Sequence, residues 1–549
     1  MSPEIPDHSA SADADPVTRL LAAVTAAARG LAGDSDVTPS LDPSPRPEMG
    51  DYSTNAAMLL AKPLGRPPRE IAAELAPAIE AALGESLEKT EIAGPGFINL
   101  FLAPAWYRGA VSAMTATGAA AIGPVAAPEK VIVEFVSANP TGPLTAASGR
   151  HGAYGDALSN LLSAVGNEVT REYYVNDGGT QVANFGASIA ARMTGDDPPE
   201  DGYRGEYVSE LAERAREEGH DPADIDLLAR VGVAWMVDGI RASLESFGVQ
   251  MDDFFSERSL YEENLVDRGI QRLTAAGHTF EEEGAVWLRT TDFGDDKDRV
   301  LIRSTGEVTY FGADVAYHVD KIERGHDRLI DVLGADHHGY VARMAAAMES
   351  LEGGKAEFEA QIMQLIHLVE GGKRTKMSKR AGDIVTLDEL VADIGVDAAR
   401  WFLLERSHDR TIDLDLDLAR SSSAENPVYY VQYAHARIQS ILRKAADRGT
   451  GGATTVATGP VEPAEKALIA RLLEFPSEVH EAAAKRAPHR ICAYASEVAA
   501  SFHAFYRDCQ VVGAEGEGVE AARLQLCGVT AETIRRSLGL LGISAPDRM

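Results

Sequence analysis

Between residues 131 and 164 the chain passes through a β-branched apolar run, Val131–Val136 (VIVEFV), a tight loop, Asn139-Pro140-Thr141-Gly142-Pro143-Leu144, and a helical segment, Arg150–Ala164. A run this rich in β-branched apolar residues suits a strand buried on both faces, which predicts a parallel sheet covered by helices. Proline cannot donate to a strand ladder and glycine bends sharply, so the loop ends the strand at once. Strand, loop and helix form the first half of a nucleotide-binding βα unit, whose ligands collect at the C-terminal ends of the strands. Further strand candidates are Val169–Val175, Val300–Ile302 and Leu329–Leu333, separated by helical stretches.

With 549 residues the chain exceeds a single core, and about three domains are expected. Residues 1–15 read as a disordered tail. Helical periodicity over 16–33 and Ile71–Leu83, with a strand-like Ile92–Leu102, predicts an N-terminal α+β domain over 16–110. The small-residue stretch Gly118–Pro128 makes 111–129 a linker. Residues 130–420 read as an α/β Rossmann-type catalytic domain, interrupted by an acidic helical insertion near 195–290. From 421 to 549 helical patterns dominate (Tyr429–Arg443, Glu462–Ala484, Arg490–Tyr506, Glu517–Gly528, Thr530–Leu541), predicting a C-terminal α-helical bundle.

Net charge is −32, yet Lys373, Arg374, Lys376 and Lys379 place four cations within seven residues, with Gly371, Gly372 and Gly382 around them. Lysine neutralises phosphate oxygens as a point charge, and glycine lets the backbone approach closely, so this stretch suits a loop closing over a polyphosphate. A solvated basic turn is the other reading. The global charge argues against a nucleic-acid partner, but residues 421–549 are roughly neutral and the acidic excess sits upstream, as on the solvating surface of a salt-adapted protein. Three cysteines, Cys492, Cys509 and Cys527, show no C-x-x-C spacing, which fits a reducing compartment without disulfides or zinc. No signal-peptide pattern and no apolar run of membrane-spanning length occurs, so a soluble cytoplasmic protein is expected.

Ten segments in order resemble arginyl-tRNA synthetases of the bacterial type, which are class I aminoacyl-tRNA synthetases. They are Gly50–Asn55 (GDYSTN), Ala93–Asn99 (AGPGFIN), Glu134–Leu144 (EFVSANPTGPL), Tyr174–Gln181 (YVNDGGTQ) and Asp295–Leu301 (DDKDRVL). Asp314–Lys321 (DVAYHVDK), Leu333–Tyr340 (LGADHHGY), the KMSKRAG loop, Asn426–Arg437 (NPVYYVQYAHAR) and Ser544–Met549 (SAPDRM) complete the set. The resemblance covers nearly all of 16–549. It implies ATP-dependent ligation of L-arginine to tRNA(Arg) through an arginyl-adenylate, with Mg2+ arriving with ATP and no dedicated protein metal site.

The resemblance further implies roles by residue. Glu134, Asn139, Tyr310 and Asp314 face arginine, consistent with carboxylates accepting the five donors of a guanidinium. Thr145, Ser148, Gly149, His151, Gly334, Asp336, His337, His338 and Met377 bind ATP. Lys376, Lys379 and Ser378 are catalytic, and Asn55, Tyr429, Tyr433, Arg437 and Met549 contact tRNA. Asp336, His337 and His338 also read as part of a metal cluster, although no Cys is near. A monomer is expected.

One departure stands out. The family's His-x-Gly-His motif follows Pro-Thr-Gly-Pro-Leu directly, whereas here Thr145-Ala146-Ala147-Ser148 fills those positions. The hydroxyls can bond a phosphate oxygen but carry no positive charge. The helix N-terminus, its N–H groups and His151 are expected to supply the remaining anion site. Two further readings are a tRNA-binding paralogue that has lost activation and a Rossmann nucleotidyltransferase acting without tRNA.

Overall fold

The computed structural model describes residues 15–32, 37–118, 121–351, 356–374, 385–449, 457 and 459–549. At the N-terminus, helix Pro16–Ala32 buries Leu20, Val24 and Ala28, and helix Pro68–Leu83 buries Ile71, Leu75 and Ile79; each is one stripe at four-residue spacing. They cover a four-stranded antiparallel sheet ordered Leu41–Pro43, Tyr52–Thr54, Phe97–Leu102, Leu87–Ala93. The expected single strand Ile92–Leu102 is in fact a hairpin. Gly94 and Gly96, at φ +53° and +147°, turn the chain back where the pattern had suggested continuity.

The central sheet has five parallel strands: β1 (Lys130–Glu134), β2 (Glu168–Val175), β3 (Asp253–Ser256), β4 (Arg328–Gly334) and β5 (Glu357–Met363), in the order β5-β4-β1-β2-β3. The apolar runs that announced β1, β2 and β4 occupy its interior, where Val131, Ile132 and Val133 are fully buried. Two expectations fail here. Asp253–Ser256 lies in the range assigned to a helical insertion yet forms an edge strand of the core sheet. Val300–Ile302 is a strand, but it joins a separate antiparallel sheet with Thr279–Glu282 and Ala285–Leu288. Glu283 and Gly284, both at positive φ, close that sheet's two-residue hairpin in the conformation such loops favour.

Three helices frame the C-terminal edge of the sheet: α1 (Ala146–Ala164), α2 (Tyr310–Glu323) and α3 (His338–Glu349). Helix α1 lies close because Gly155 faces Phe135; a Cβ there would sit 2.1 Å from the ring. Gly155→Ala is therefore expected to cost roughly 1–3 kcal/mol through overpacking, seen as a lower thermal-unfolding midpoint; an unchanged midpoint would refute this account of the contact.

The C-terminal helices are Pro427–Asp447, Pro463–Leu473, Phe475–Ala484, His489–Asp508 and Val519–Leu540. The last is continuous through Gly528, where two segments had been expected. Conversely, Glu462–Ala484 breaks near Pro476, which supplies no backbone N–H and sits in the first turn of the next helix. The fully buried Arg400 ties this bundle to the core by donating to Asp156 Oδ2 at 2.5 Å and to Leu541 O at 2.8 Å. Among the described residues no helix is long and apolar enough to cross a membrane.

Candidate active site

Where β1 ends, the backbone turns within three residues. Ser137 N–H donates to Phe135 O at 3.0 Å around Val136, which sits at φ +70°, with Ser137 at +38°. A β-branched residue in this region is strained, and such strain persists only where surroundings enforce it. The enforcement is visible. Ser137 Oγ donates to Glu134 Oε1 (3.0 Å) and accepts from Tyr174 N–H (3.1 Å), while Tyr173 OH donates to Ala138 O (2.7 Å). Asn139 Nδ2 donates to Gln181 Oε1 at 2.8 Å, leaving its carbonyl oxygen free of that bond.

Glu134 is held from beneath. The fully buried Lys321 of α2 donates to Glu134 Oε2 (2.6 Å) and Asp331 Oδ1 (3.1 Å), and His318 Nε2 lies 2.9 Å from Asp331 Oδ2. Burial alone would lower the Lys321 ammonium, but Asp331 and Glu134 hold it above its ordinary range. Burial would likewise raise Asp331, and Lys321 with His318 keeps it well below. Both Glu134 oxygens therefore already accept a hydrogen bond.

Asp314 differs. It sits in the second turn of α2, whose N-terminus Thr309 caps by accepting from Gly312 N–H at 3.0 Å. Its carboxylate has no hydrogen-bond or ion-pair partner among the described residues. Burial pushes it up to about 7; Glu134 and Glu257 add to the rise, while His318 and Arg343 oppose it. Glu257, just past the end of β3, is raised too, by burial and then by Asp177. Sequence reasoning missed Glu257 because β3 had not been recognised as a core strand. Tyr261 lies among Glu257, Asp314 and Tyr310, and Tyr174 among Glu257, Asp314 and Glu134. Tyr310 is 78 % exposed, so it stands at the outer side of this group rather than buried among the carboxyls. Three carboxyls, Asp314, Glu257 and Glu134, are thus gathered with the rings of Tyr174 and Tyr261.

Across β1, the start of α1 is less open to anions than expected. Thr145 Oγ1 accepts from Ser148 N–H (3.2 Å) and also meets Ser148 Oγ (3.2 Å). Ala146 N–H donates to Val385 O (3.1 Å), and Gly149 N–H to Thr145 O (3.1 Å). That leaves Ala147 as the first-turn N–H without a partner among the described residues. His151 departs from expectation as well: burial lowers its imidazole to about 4, with Arg150 adding to the effect, and the ring bonds the Val332 backbone, so it is neutral near pH 7. The buried Arg150 points elsewhere, donating to Gln364 O (2.5 Å), Ser407 O (3.0 Å) and Arg410 O (2.8 Å).

Lys376, Met377, Ser378 and Lys379 lie outside the described residues. Their flanks are described. Lys373–Arg374 pairs with Ile366–Glu370, which runs parallel to Ile412–Asp415, the layer that Arg150 anchors. On the other side Leu387 N–H donates to Leu144 O at 2.9 Å, and Leu387 packs so closely on Gly149 that a Cβ there would lie 2.7 Å away. Gly334 ends β4; Asp336 is largely exposed, 3.8 Å from His337, and His338 opens α3. Among the described residues no group of three or more His, Cys, Asp or Glu converges as a metal site.

The remaining candidates lie in the N-terminal domain and among the C-terminal helices. Asn55 Oδ1 accepts from Ser40 N–H at 2.9 Å, so its oxygen braces the N-terminal domain. Tyr429 and Tyr433 stack at 6.1 Å, and Arg437 lies over Tyr433 (4.6 Å) and Tyr506 (4.9 Å). Met549 is half-exposed.

Comparison with known proteins places this architecture among the class I aminoacyl-tRNA synthetases: the family description "tRNA synthetases class I (R), catalytic domain" matches residues 115–198 and 211–441. "Arginyl tRNA synthetase N terminal domain" matches 18–102 and "DALR anticodon binding domain" matches 431–549. An arginine–tRNA ligase of Shouchella clausii (strain KSM-K16) is 44 % identical over 534 residues, covering 94 % of this chain and 96 % of that protein. The crystal structure of a putative arginyl-tRNA synthetase from Campylobacter jejuni aligns at TM-score 0.73 and 33 % identity, over 81 % of this chain and 99 % of that one. The Thermus thermophilus arginyl-tRNA synthetase shares the fold at TM-score 0.75 and 24 % identity, over 97 % and 99 % of the two chains. The chain belongs to the arginyl-tRNA synthetase family.

Proposed function

We propose that the protein ligates L-arginine to tRNA(Arg) in two steps, acting as a cytoplasmic monomer. The observation that carries this is the unpartnered Asp314 carboxylate, facing Glu257 and Glu134 in a pocket at the C-terminal edge of the sheet. A guanidinium satisfies such a pocket by charge and by donor number. Asp314 and Glu257 receive it, Glu134 shapes the floor, and Asn139 and Tyr310 close over the substrate. The arginine carboxylate then attacks the ATP α-phosphorus, releasing pyrophosphate, and the terminal ribose hydroxyl of tRNA takes the arginyl group. Thr145, Ser148, Gly149, Gly334, Asp336, His337, His338 and Met377 contact ATP, and Lys376, Lys379 and Ser378 stabilise the departing pyrophosphate. His151 supports the pocket wall as a neutral ring. Mg2+ would enter with the ATP and would supply charge neutralisation on the triphosphate. Tyr429, Tyr433, Arg437 and Met549 read tRNA bases, and Asn55 contacts the tRNA body through its amide nitrogen.

The test is arginine-dependent ATP–pyrophosphate exchange with and without tRNA(Arg). Exchange that requires arginine is expected. No exchange even with tRNA would instead favour the tRNA-binding paralogue, which draws support from Thr145–Ser148 and the committed N–H groups of α1.

The acid pair also sets a pH dependence. Arginine needs ionised Asp314, whose carboxyl sits at about 7 in the free protein. Affinity for arginine should therefore weaken as pH falls below 7, by up to about tenfold per unit, and level off above it. Isothermal titration from pH 5.5 to 8.5 measures this, and a flat profile would remove Asp314 from recognition. For the unliganded protein the sign is opposite: a raised carboxyl costs stability as pH climbs from the unfolded value toward 7.

A further inference from the structure

One group of helices packs apart from the rest of the catalytic domain. Gly179–Thr194, Glu206–Glu217 and Ile225–Ser246 share their own apolar core, built from Phe185, Ile189, Val208, Ala212, Leu228 and Val233. The first and third helices meet closely at Gly186, where a Cβ would lie 2.6 Å from the Ile225 carbonyl oxygen. Tyr203 N–H donates to Ser188 Oγ at 2.9 Å, which ties the stretch before the second helix onto the first. At its base the group is fastened to the end of β3: Asp177 accepts from Ser256 Oγ at 2.6 Å and from Arg258 N–H at 3.0 Å.

This three-helix arm reaches the loop after β1 at two points. Gln181, in the first turn of the first helix, accepts from Asn139 Nδ2 at 2.8 Å. Tyr207, in the first turn of the second helix, donates from its phenol to Thr141 O at 2.8 Å. The second contact is closely fitted. A Cβ on Gly142 would lie 3.2 Å from the Tyr207 hydroxyl, and one on Gly205 would lie 2.4 Å from the Tyr207 ring. Burial raises the Tyr207 phenol, so it stays a donor across working pH. Thr141 is itself buried, and its N–H donates to Asn139 O at 2.8 Å, so the bonded carbonyl belongs to the same tight turn as Asn139. Tyr207 falls between residues 198 and 211, outside the two stretches that carry the shared catalytic-domain pattern.

The far end of the loop is fastened to the core instead. Leu144 O accepts from Leu387 N–H at 2.9 Å, and Ala146 N–H donates to Val385 O at 3.1 Å. The arm therefore holds the end that bears Asn139, and the core holds the end that bears Thr145.

We propose that Tyr207 is a positioning residue for arginine: from the three-helix arm its phenol pins Thr141, and through that turn sets the place of Asn139. This rests on the function proposed above, in which Asn139 closes over arginine and Thr145 meets ATP. Releasing Thr141 loosens Asn139 and leaves Thr145 where Leu387 and Val385 keep it. The two substrates are thus separated by the two ends of one loop.

Tyr207→Phe tests this, because it removes the hydroxyl and keeps the ring in its slot beside Gly205 and Phe185. KM for arginine should rise by roughly three- to tenfold, the worth of one hydrogen bond. The kcat, the KM for ATP and the thermal midpoint should stay close to those of the parent. Amide hydrogen exchange should quicken at Thr141 and Gly142 and hold at Leu387. An unchanged KM for arginine would overturn the inference, as would equal rises for arginine and ATP or unchanged exchange at Thr141. A parent protein that shows no arginine-dependent exchange of pyrophosphate would instead strike the proposed function. Amide exchange at Thr141 would still decide whether the phenol holds the turn.

Discussion

Asp314→Asn is expected to lower kcat/KM for arginine by about a hundred- to a thousandfold, or 3–4 kcal/mol of transition-state stabilisation. The loss is large because nothing nearby can replace the carboxylate. Glu134 lies in the same pocket, but its oxygens already accept from Lys321 and Ser137. Glu257 remains, yet one carboxylate then faces a guanidinium whose other donors meet an amide. Unfolding does not explain such a loss: the substitution removes a charge that burial disfavours, so the thermal midpoint should hold or rise. KM for ATP should be nearly unchanged. Steady-state arginylation measures the effect, and a fall of less than tenfold would place the guanidinium elsewhere.

Lys379→Ala should slow arginine activation by about a hundred- to a thousandfold, the usual cost of losing one preorganised donor to a developing charge. Here the argument runs through what α1 no longer offers. Two histidines are replaced by Thr145 and Ser148, Thr145 is occupied as a cap, and Ala146 N–H is committed to Val385 O. His151, neutral at pH 7, adds no charge. On the proposed function the lysines of the loop would carry most of the phosphate charge, while tRNA affinity, set by other surfaces, is expected to stay close to that of the parent. Rapid-quench measurement of adenylate formation separates the two quantities. An unchanged activation rate would take Lys379 out of the chemistry.

Much of the framework could be read from the chain because it is written in local patterns. The apolar runs at β1 and β4 and the four-residue stripes of the flanking helices are signals of that kind. The misreadings occur where local pattern and tertiary role diverge. Asp253–Ser256 (DFFS) is four residues long and follows a helix, so only its pairing with Glu172–Val175 makes it a core strand. Val300–Ile302 has the composition of a buried strand but finds its partners in a local hairpin. Asp314 and Glu134 became candidates only through resemblance to relatives. That Lys321, 187 positions away, already pairs with one oxygen of Glu134, and that Glu257 lies near Asp314, are products of the folded geometry.

The bend at Val136 has a practical consequence for anyone breeding this protein for heat resistance. Glycine would relieve the positive φ that valine endures there, so selection on melting temperature alone is expected to favour Val136→Gly. The same change would let the segment between Glu134 and Asn139 wander. Thermostable isolates carrying it should show a higher KM for arginine, and a screen that scores charging alongside survival should reject them. Robustness and discrimination are thus set against each other at a single hinge of main chain.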